Sequence, residues 1–124
     1  MARTTTNSSS RVGGSTRLTK LHSYYQNEKH IWDIGCDHGY LGSSFKDIES
    51  VEVIHLVDPS LPVIQNLKDS YISVRKIMIH HNEGQRLIIN SPANLIFIAG
   101  MGGKEIGEII VHLLPQLDST ARLT

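Results

Sequence analysis

Three carboxylates in this sequence stand where an apolar run gives way to a turn. Asp37 lies within Ile34-Gly35-Cys36-Asp37-His38-Gly39-Tyr40, Asp58 directly precedes Pro59, and Glu83 sits between Asn82 and Gly84. A carboxylate accepts hydrogen bonds from hydroxyl and amine groups, and each charge-assisted bond contributes roughly 1.5–3 kcal/mol. The glycines flanking Asp37 let the backbone approach a ligand closely, so this stretch is expected to hold a nucleotide-like cofactor. Asp58, 19 residues beyond Gly39, then suits the two hydroxyls of a ribose. The plainer reading of Asp58 is an Asp-Pro turn. Glu83 suits the exocyclic amine of an adenine, or is simply the middle of an Asn-Glu-Gly turn.

Asp37 discriminates between cofactors. A dinucleotide fingerprint runs G-x-G-x-x-G, and its second glycine admits the pyrophosphate. Here the order is Gly35, Asp37, Gly39, and an aspartate at that point repels a pyrophosphate. The same aspartate suits a cationic amino group such as that of S-adenosylmethionine, which favours methyl transfer over hydride transfer. Other reactive residues carry less. Cys36 reads as a small residue in a tight turn, and Tyr24-Tyr25 as packing. His80-His81 resembles a metal pair, but neighbours on a strand point to opposite faces, so no metal site is expected.

The elements that must position these groups follow from periodicity. Leu18, Leu21, His22 and Tyr25 share a helical face, giving a short helix over Thr16–Tyr25. Strands are expected at His30–Ile34, Val51–Val57, Lys76–His80 and Leu95–Ala99. Helices are expected from Tyr40 to about Asp47, and from Pro62 with a stripe of Val63, Leu67, Ser70, Tyr71 and Val74. A helical turn should span Gln85–Ile89. The last helix carries Ile106, Ile109, Ile110, Leu113 and Leu114, and Pro115 stops it. Leu95–Ala99 has no polar alternation, the habit of a strand buried on both faces of a parallel sheet. Ala121–Thr124 looks like the start of a fifth strand. Alternating strands and helices predict an α/β, right-handed, doubly wound sheet. Ligands of such sheets bind at the carboxyl ends of the strands, where Gly35–Tyr40, Asp58-Pro59, Asn82–Gly84 and Gly100–Gly103 all arrive.

The totals fit one small domain: 124 residues, 40% apolar and 19% charged, with one cysteine and hence no internal disulfide. No apolar run reaches the roughly 18 residues of a membrane span, and the first residues lack a secretory pattern, so a cytoplasmic protein is expected. The net charge of zero is unevenly placed. Residues 1–32 carry Arg3, Arg11, Arg17, Lys20 and Lys29 against Glu28, a net of +4 that leaves −4 for the rest. Residues 1–15, rich in Ser, Thr, Asn and Gly, should be a disordered basic tail. Such an arm either engages nucleic acid or is simply solvated.

Asp33-Ile34-Gly35-Cys36-Asp37-His38-Gly39-Tyr40-Leu41, followed by Ile98-Ala99-Gly100-Met101-Gly102-Gly103, resembles the bacterial tRNA (adenine(22)-N1)-methyltransferase family. The resemblance covers Thr16 to Thr124. It implies a Rossmann-like class I methyltransferase sheet, S-adenosylmethionine as cofactor and tRNA as partner. It further implies that Asp33, Gly35 and Asp37, with Cys36, contact the methionine part. Asp58 with Pro59 would hold the ribose, Asn82 and Glu83 the adenine, and Ala99, Gly100, Met101 and Gly102 would line the cleft where cofactor and base meet. The sequence departs from the family at Asp58, where a glutamate is usual, at Gly39, where another small residue is usual, and at Glu83, where Asn or Asp is usual.

Adenine N1 is already a nucleophile, so the tasks left to such an enzyme are in-line positioning and stabilising a cationic product. Tyr40 would stack on or orient the unpaired base, and Asp37 and His38 would offset positive charge on its ring. The family continues through further strands and a C-terminal helical region. The chain is therefore expected to carry four to five strands of the cofactor half. Leu95–Ala99 would then be an apolar edge open to a second copy or a partner chain. Two other readings stand beside this one: an inert remnant that binds cofactor or RNA without turnover, and a nicotinamide-dependent oxidoreductase, which Asp37 disfavours.

Overall fold

The computed structural model describes residues 18–98, 101–117 and 122–123. The expected tail of residues 1–15 lies outside them. In chain order the elements are α1 (residues 18–22), β1 (His30–Ile34), α2 (Tyr40–Ser43), β2 (Val53–Asp58), α3 (Leu61–Ser70), β3 (Ile77–His81), β4 (Asn94–Ile98), α4 (Gly103–Leu113) and β5 (Arg122–Leu123). Short 3-10 turns at Gly84–Arg86 and Leu114–Gln116 complete them.

The five strands form one parallel sheet in the order β3-β2-β1-β4-β5. The direction of strand progression reverses between β1 and β4, and the register sets Ile34 beside Val57 on one side and Ile98 on the other. The carboxyl ends of three strands thus meet at one crevice. Period-two alternation divides the side chains between two layers. Ile31, Ile54, Leu56, Leu95 and Phe97 join Phe45, Ile64 and Leu67 in one core, against α1, α2 and α3. Trp32, Ile34, Val57 and Ile96 join Leu87, Ile89, Ile109 and Leu113 in the other, beneath α4.

Several elements differ from expectation. α2 keeps regular geometry for only four residues, where a helix to about Asp47 was expected. Gly42 is a weak helix former, and Ser43 and Ser44 turn their hydroxyls onto the carbonyls of Tyr40 and Leu41. The buried face of α3 runs through Ile64 and Leu67, not Val63 and Ser70, which flank it. The expected turn at Gln85–Ile89 is a 3-10 turn one residue earlier. β4 is not an open edge along its whole length, because β5 pairs with it at Leu95 and Ile96. A second copy or partner chain therefore has no access to that part of the edge. No helix among the described residues is long and apolar enough to cross a membrane.

Candidate functional site

The turn after β1 is fixed by backbone conformation before any ligand is considered. Gly35 and Gly39 have φ of 74° and 76°, and Asp37 between them has φ of 52°. Left-handed geometry costs a residue with a Cβ about 1 kcal/mol or more, and Asp is among the residues that tolerate it best. Gly39 is also hemmed in: a Cβ there would lie 2.9 Å from Leu56 and 3.1 Å from Leu67. In this chain glycine is required at that position by both conformation and space. Gly35 and Cys36 donate their N–H groups to the Val57 carbonyl at 2.8 and 3.1 Å, which ties the turn to the end of β2.

The carboxylates divide by environment. Asp33, 3% exposed, points into the α1–α3 layer and accepts the Gly42 N–H at 2.9 Å. Burial raises its pKa to about 6, the Gly42 bond opposes that rise, and the Asp58 charge adds to it. Asp33 therefore holds α2 against β1 from beneath the turn. Asp58 is also buried. Its Oδ2 accepts the Asp37 N–H at 3.2 Å and its Oδ1 the Ser60 N–H at 3.0 Å. Each oxygen retains capacity for one more donor. The Asp-Pro turn and a hydroxyl-binding carboxylate are thus compatible in one residue.

Asp37 and His38 project outward. Their side chains are 71% and 66% exposed, and His38 Nδ1 lies 3.1 Å from Asp37 Oδ2. The His38 ring stacks on Tyr40, with centroids 5.2 Å apart and planes 12° from parallel. Cys36 is buried, and its thiol is pushed far up, first by burial and then by the charges of Asp33, Asp58 and Asp37. Burial and the surrounding carboxylates thus favour its thiol form.

At the end of β3, His81 Nε2 meets the Pro59 carbonyl at 2.9 Å, and the Asn82 N–H donates to the Asp58 carbonyl at 3.2 Å. Asn82 Oδ1 accepts the Glu83 N–H at 2.8 Å. Glu83 is half-exposed and faces Arg86 at 3.6 Å. Asp37, Asp58, Asn82 and Glu83 therefore stand on neighbouring strand ends, as the sequence pattern required. Of the second glycine segment, Ala99 and Gly100 lie outside the described residues. Met101 packs on the α4-side core, and Gly102 opens α4 with no atom within 4 Å of a Cβ built there.

Sequence reasoning missed a polar line on the opposite face of the sheet. His30 Nδ1 lies 3.0 Å from His55 Nε2, and His55 Nδ1 lies 2.9 Å from His80 Nε2. Trp32 stacks flat on His55 with centroids 3.7 Å apart. These histidines recur at intervals of 25 residues along the chain, a signal that strand register turns into adjacency. Their nitrogens satisfy one another in sequence, and His81 points to the other face as expected for a strand neighbour.

Comparison with known proteins agrees with this geometry. A family model described as a methyltransferase domain matches residues 14–123. Among solved structures, the B. subtilis M1A22 tRNA methyltransferase TrmK superposes with a TM-score of 0.75 at 26% identity, over 86% of this chain and 47% of that one. M. capricolum TrmK, in complex with S-adenosyl-homocysteine, gives 0.69 at 20% identity, over 82% and 47%. A Streptococcus thermophilus rRNA methylase gives 0.67 at 12% identity, over 87% and 66%. The chain thus spans under half the length of the two TrmK structures. A search of curated proteins finds no match. The sheet is that of a Rossmann-like class I methyltransferase, in its N-terminal part.

Proposed function

The chain belongs to the methyltransferase domain family, and from that premise we propose that it binds S-adenosylmethionine and takes part in methyl transfer to N1 of an adenine in tRNA. One observation carries the reading: an exposed carboxylate, Asp37, stands in the turn after β1, with its own N–H anchored on Asp58 at the end of β2. That arrangement offers negative charge to a cationic amino group and free acceptor capacity to ribose hydroxyls. It offers nothing to a pyrophosphate.

The residues fit the cofactor by the chemistry of their donors and acceptors. Asp37 would hold its amino group, Asp58 with Pro59 its ribose, and Asn82 with Glu83 its adenine edge, while the buried Asp33 keeps the turn in place. When bound, S-adenosylmethionine supplies an electrophilic methyl group. The chain's own part is to position and to screen. An adenine N1 needs no general base, which agrees with a site whose only thiol stays protonated. Tyr40 presents an open aromatic face on which an unpaired base stacks, and Asp37 beside His38 offsets charge as the ring becomes cationic.

Calorimetric titration tests the first half of this proposal. S-adenosylmethionine should bind and NAD should not, and Asp37→Ala should weaken the former at least tenfold. Preference for NAD would overturn it. Methyl incorporation into unmodified tRNA tests the second half, and Tyr40→Ala and Asp37→Ala should each abolish it. Binding without incorporation would leave a cofactor-binding module in place of an enzyme. The more similar B. subtilis TrmK is a tRNA methyltransferase, which supports tRNA over the rRNA of the Streptococcus thermophilus neighbour.

A further inference from the structure

A groove of about 170 Å³ opens between the start of α2 and the face of α3, sharing Asp37 with the crevice. One wall is the stacked pair of His38 and Tyr40, and Tyr40 is 68% exposed. The other wall is α3, which presents Asn66 and Ser70 with the apolar floor of Leu67 between them. Asn66 and Ser70 are four apart in a helix and so lie on one face, one turn above the other. The Tyr71 hydroxyl bridges the His38 carbonyl and the Ser43 hydroxyl, each at 3.2 Å. That bridge fixes the spacing of the two walls before anything binds.

The lining selects a class of ligand. Asp37 contributes a carboxylate, and no lysine or arginine is among the lining residues, so nothing in the groove pairs with an anion such as a phosphate. A large aromatic face on one side calls for a flat ring, and any base has a flat face that stacks on an aromatic side chain. The amide of Asn66 offers both a donor and an acceptor, and the Ser70 hydroxyl offers either. A flat, uncharged ring with donors and acceptors along its edge is a nucleobase. We propose that α3 supplies the edge-reading residues of a nucleobase site: an unpaired base stacks on Tyr40 while Asn66 and Ser70 hydrogen-bond its edge. The proposal rests on the reading of the substrate as a nucleic acid and extends it to residues that no sequence motif marks.

The test uses the full chain saturated with S-adenosylhomocysteine, so that the cofactor crevice is filled, and titrates adenosine 5′-monophosphate against ribose 5′-phosphate by nitrogen-edited NMR. The mononucleotide should shift the Asn66 side-chain amide and the Ser70 and Tyr71 backbone amides saturably, and ribose 5′-phosphate should not. Asn66→Ala should weaken the mononucleotide at least fivefold, with S-adenosylhomocysteine affinity unchanged. Equal shifts from ribose 5′-phosphate, shifts confined to other residues, or unaltered affinity in Asn66→Ala would each overturn the groove assignment. The two readings fail separately. Bound S-adenosylhomocysteine without mononucleotide shifts refutes the groove alone, and mononucleotide shifts without S-adenosylhomocysteine binding refute the cofactor reading alone.

Discussion

The two faces of the sheet bury opposite kinds of ionisable group, and burial treats them alike. On the α1–α3 face the group is Asp33, whose pKa rises to about 6. On the α4 face it is His55, whose pKa falls to about 3 through burial and then through His80 and His30. Both shifts favour the neutral form, because a charge taken out of water loses hydration that no partner here restores. The charges that remain outward, on Asp37 and Glu83, stand at the strand ends. This sheet neutralises its faces and keeps charge where a ligand would meet it.

Each face also has a glycine that admits its covering element, and these are the places to break the comparison hardest. A Cβ on Gly42 would sit 2.5 Å from Leu56 Cδ2 and 3.0 Å from Asp33 Cβ. Gly42→Ala would push α2 off the sheet and strain the Asp33 bond together, and we expect a loss of about 3 kcal/mol. A Cβ on Gly84 would sit 2.7 Å from Ile109 and 2.9 Å from Ile34, and Gly84→Ala should cost about 2 kcal/mol by the same mechanism. Urea unfolding measures both. A free-energy change below 0.5 kcal/mol in either would show that its face can repack.

The opposed pKa shifts sharpen the comparison at a smaller scale. Asp33 has a folded pKa above its unfolded value, so its contribution is fully present below pH 4 and is lost as pH rises through about 6. His55 has a folded pKa below its unfolded value, so its contribution is present above pH 6.5 and is lost as pH falls toward about 3. Between pH 7 and pH 5, Asp33 therefore gains about 1 kcal/mol and His55 loses about 2 kcal/mol, so the first offsets about half of the second. Asp33→Asn should expose the histidine loss alone, a fall of about 2 kcal/mol over that interval, and His55→Gln should shrink or reverse it. His22, His30 and His80, also lowered by burial, push in the same direction as His55. Denaturant midpoints at the two pH values read all three proteins. Parallel pH profiles would mean that neither group is held neutral by its face.

Much of this arrangement was legible before the fold was known, and the rest has identifiable reasons for being hidden. β1 was legible to the residue, because an apolar run ends abruptly at Gly35, and the crevice followed because turn residues recur at each strand end. The different settings of Asp33 and Asp37 were not legible. Both are aspartates of one motif, and only the fold shows that β1 turns Asp33 inward while the turn after it leaves Asp37 in solvent. The histidine line was hidden because its members are 25 residues apart, a distance that means contact only once the register is set. Asn66 was invisible because a polar residue on an exposed helix face carries no pattern, and Ser70 shares the helical spacing of the apolar stripe while lying exposed. α2 fell short of its apolar periodicity because its serines satisfy the local carbonyls.

The smallest expected effect separates charge kept for folding from charge kept for a ligand. Arg86 and Glu83 approach to 3.6 Å with both side chains more than half exposed, a setting in which an ion pair contributes about 0–0.5 kcal/mol. Arg86→Ala should therefore leave the thermal midpoint within about 2 °C of the parent. Glu83→Gln should be equally silent in stability, since it removes a charge that neither face uses. It should nevertheless weaken S-adenosylmethionine severalfold in a calorimetric titration, because a neutral amide accepts an adenine amine less strongly than a carboxylate does. A Glu83→Gln protein that loses stability but binds the cofactor normally would place Glu83 with Asp33 and His55, among the groups that serve the fold.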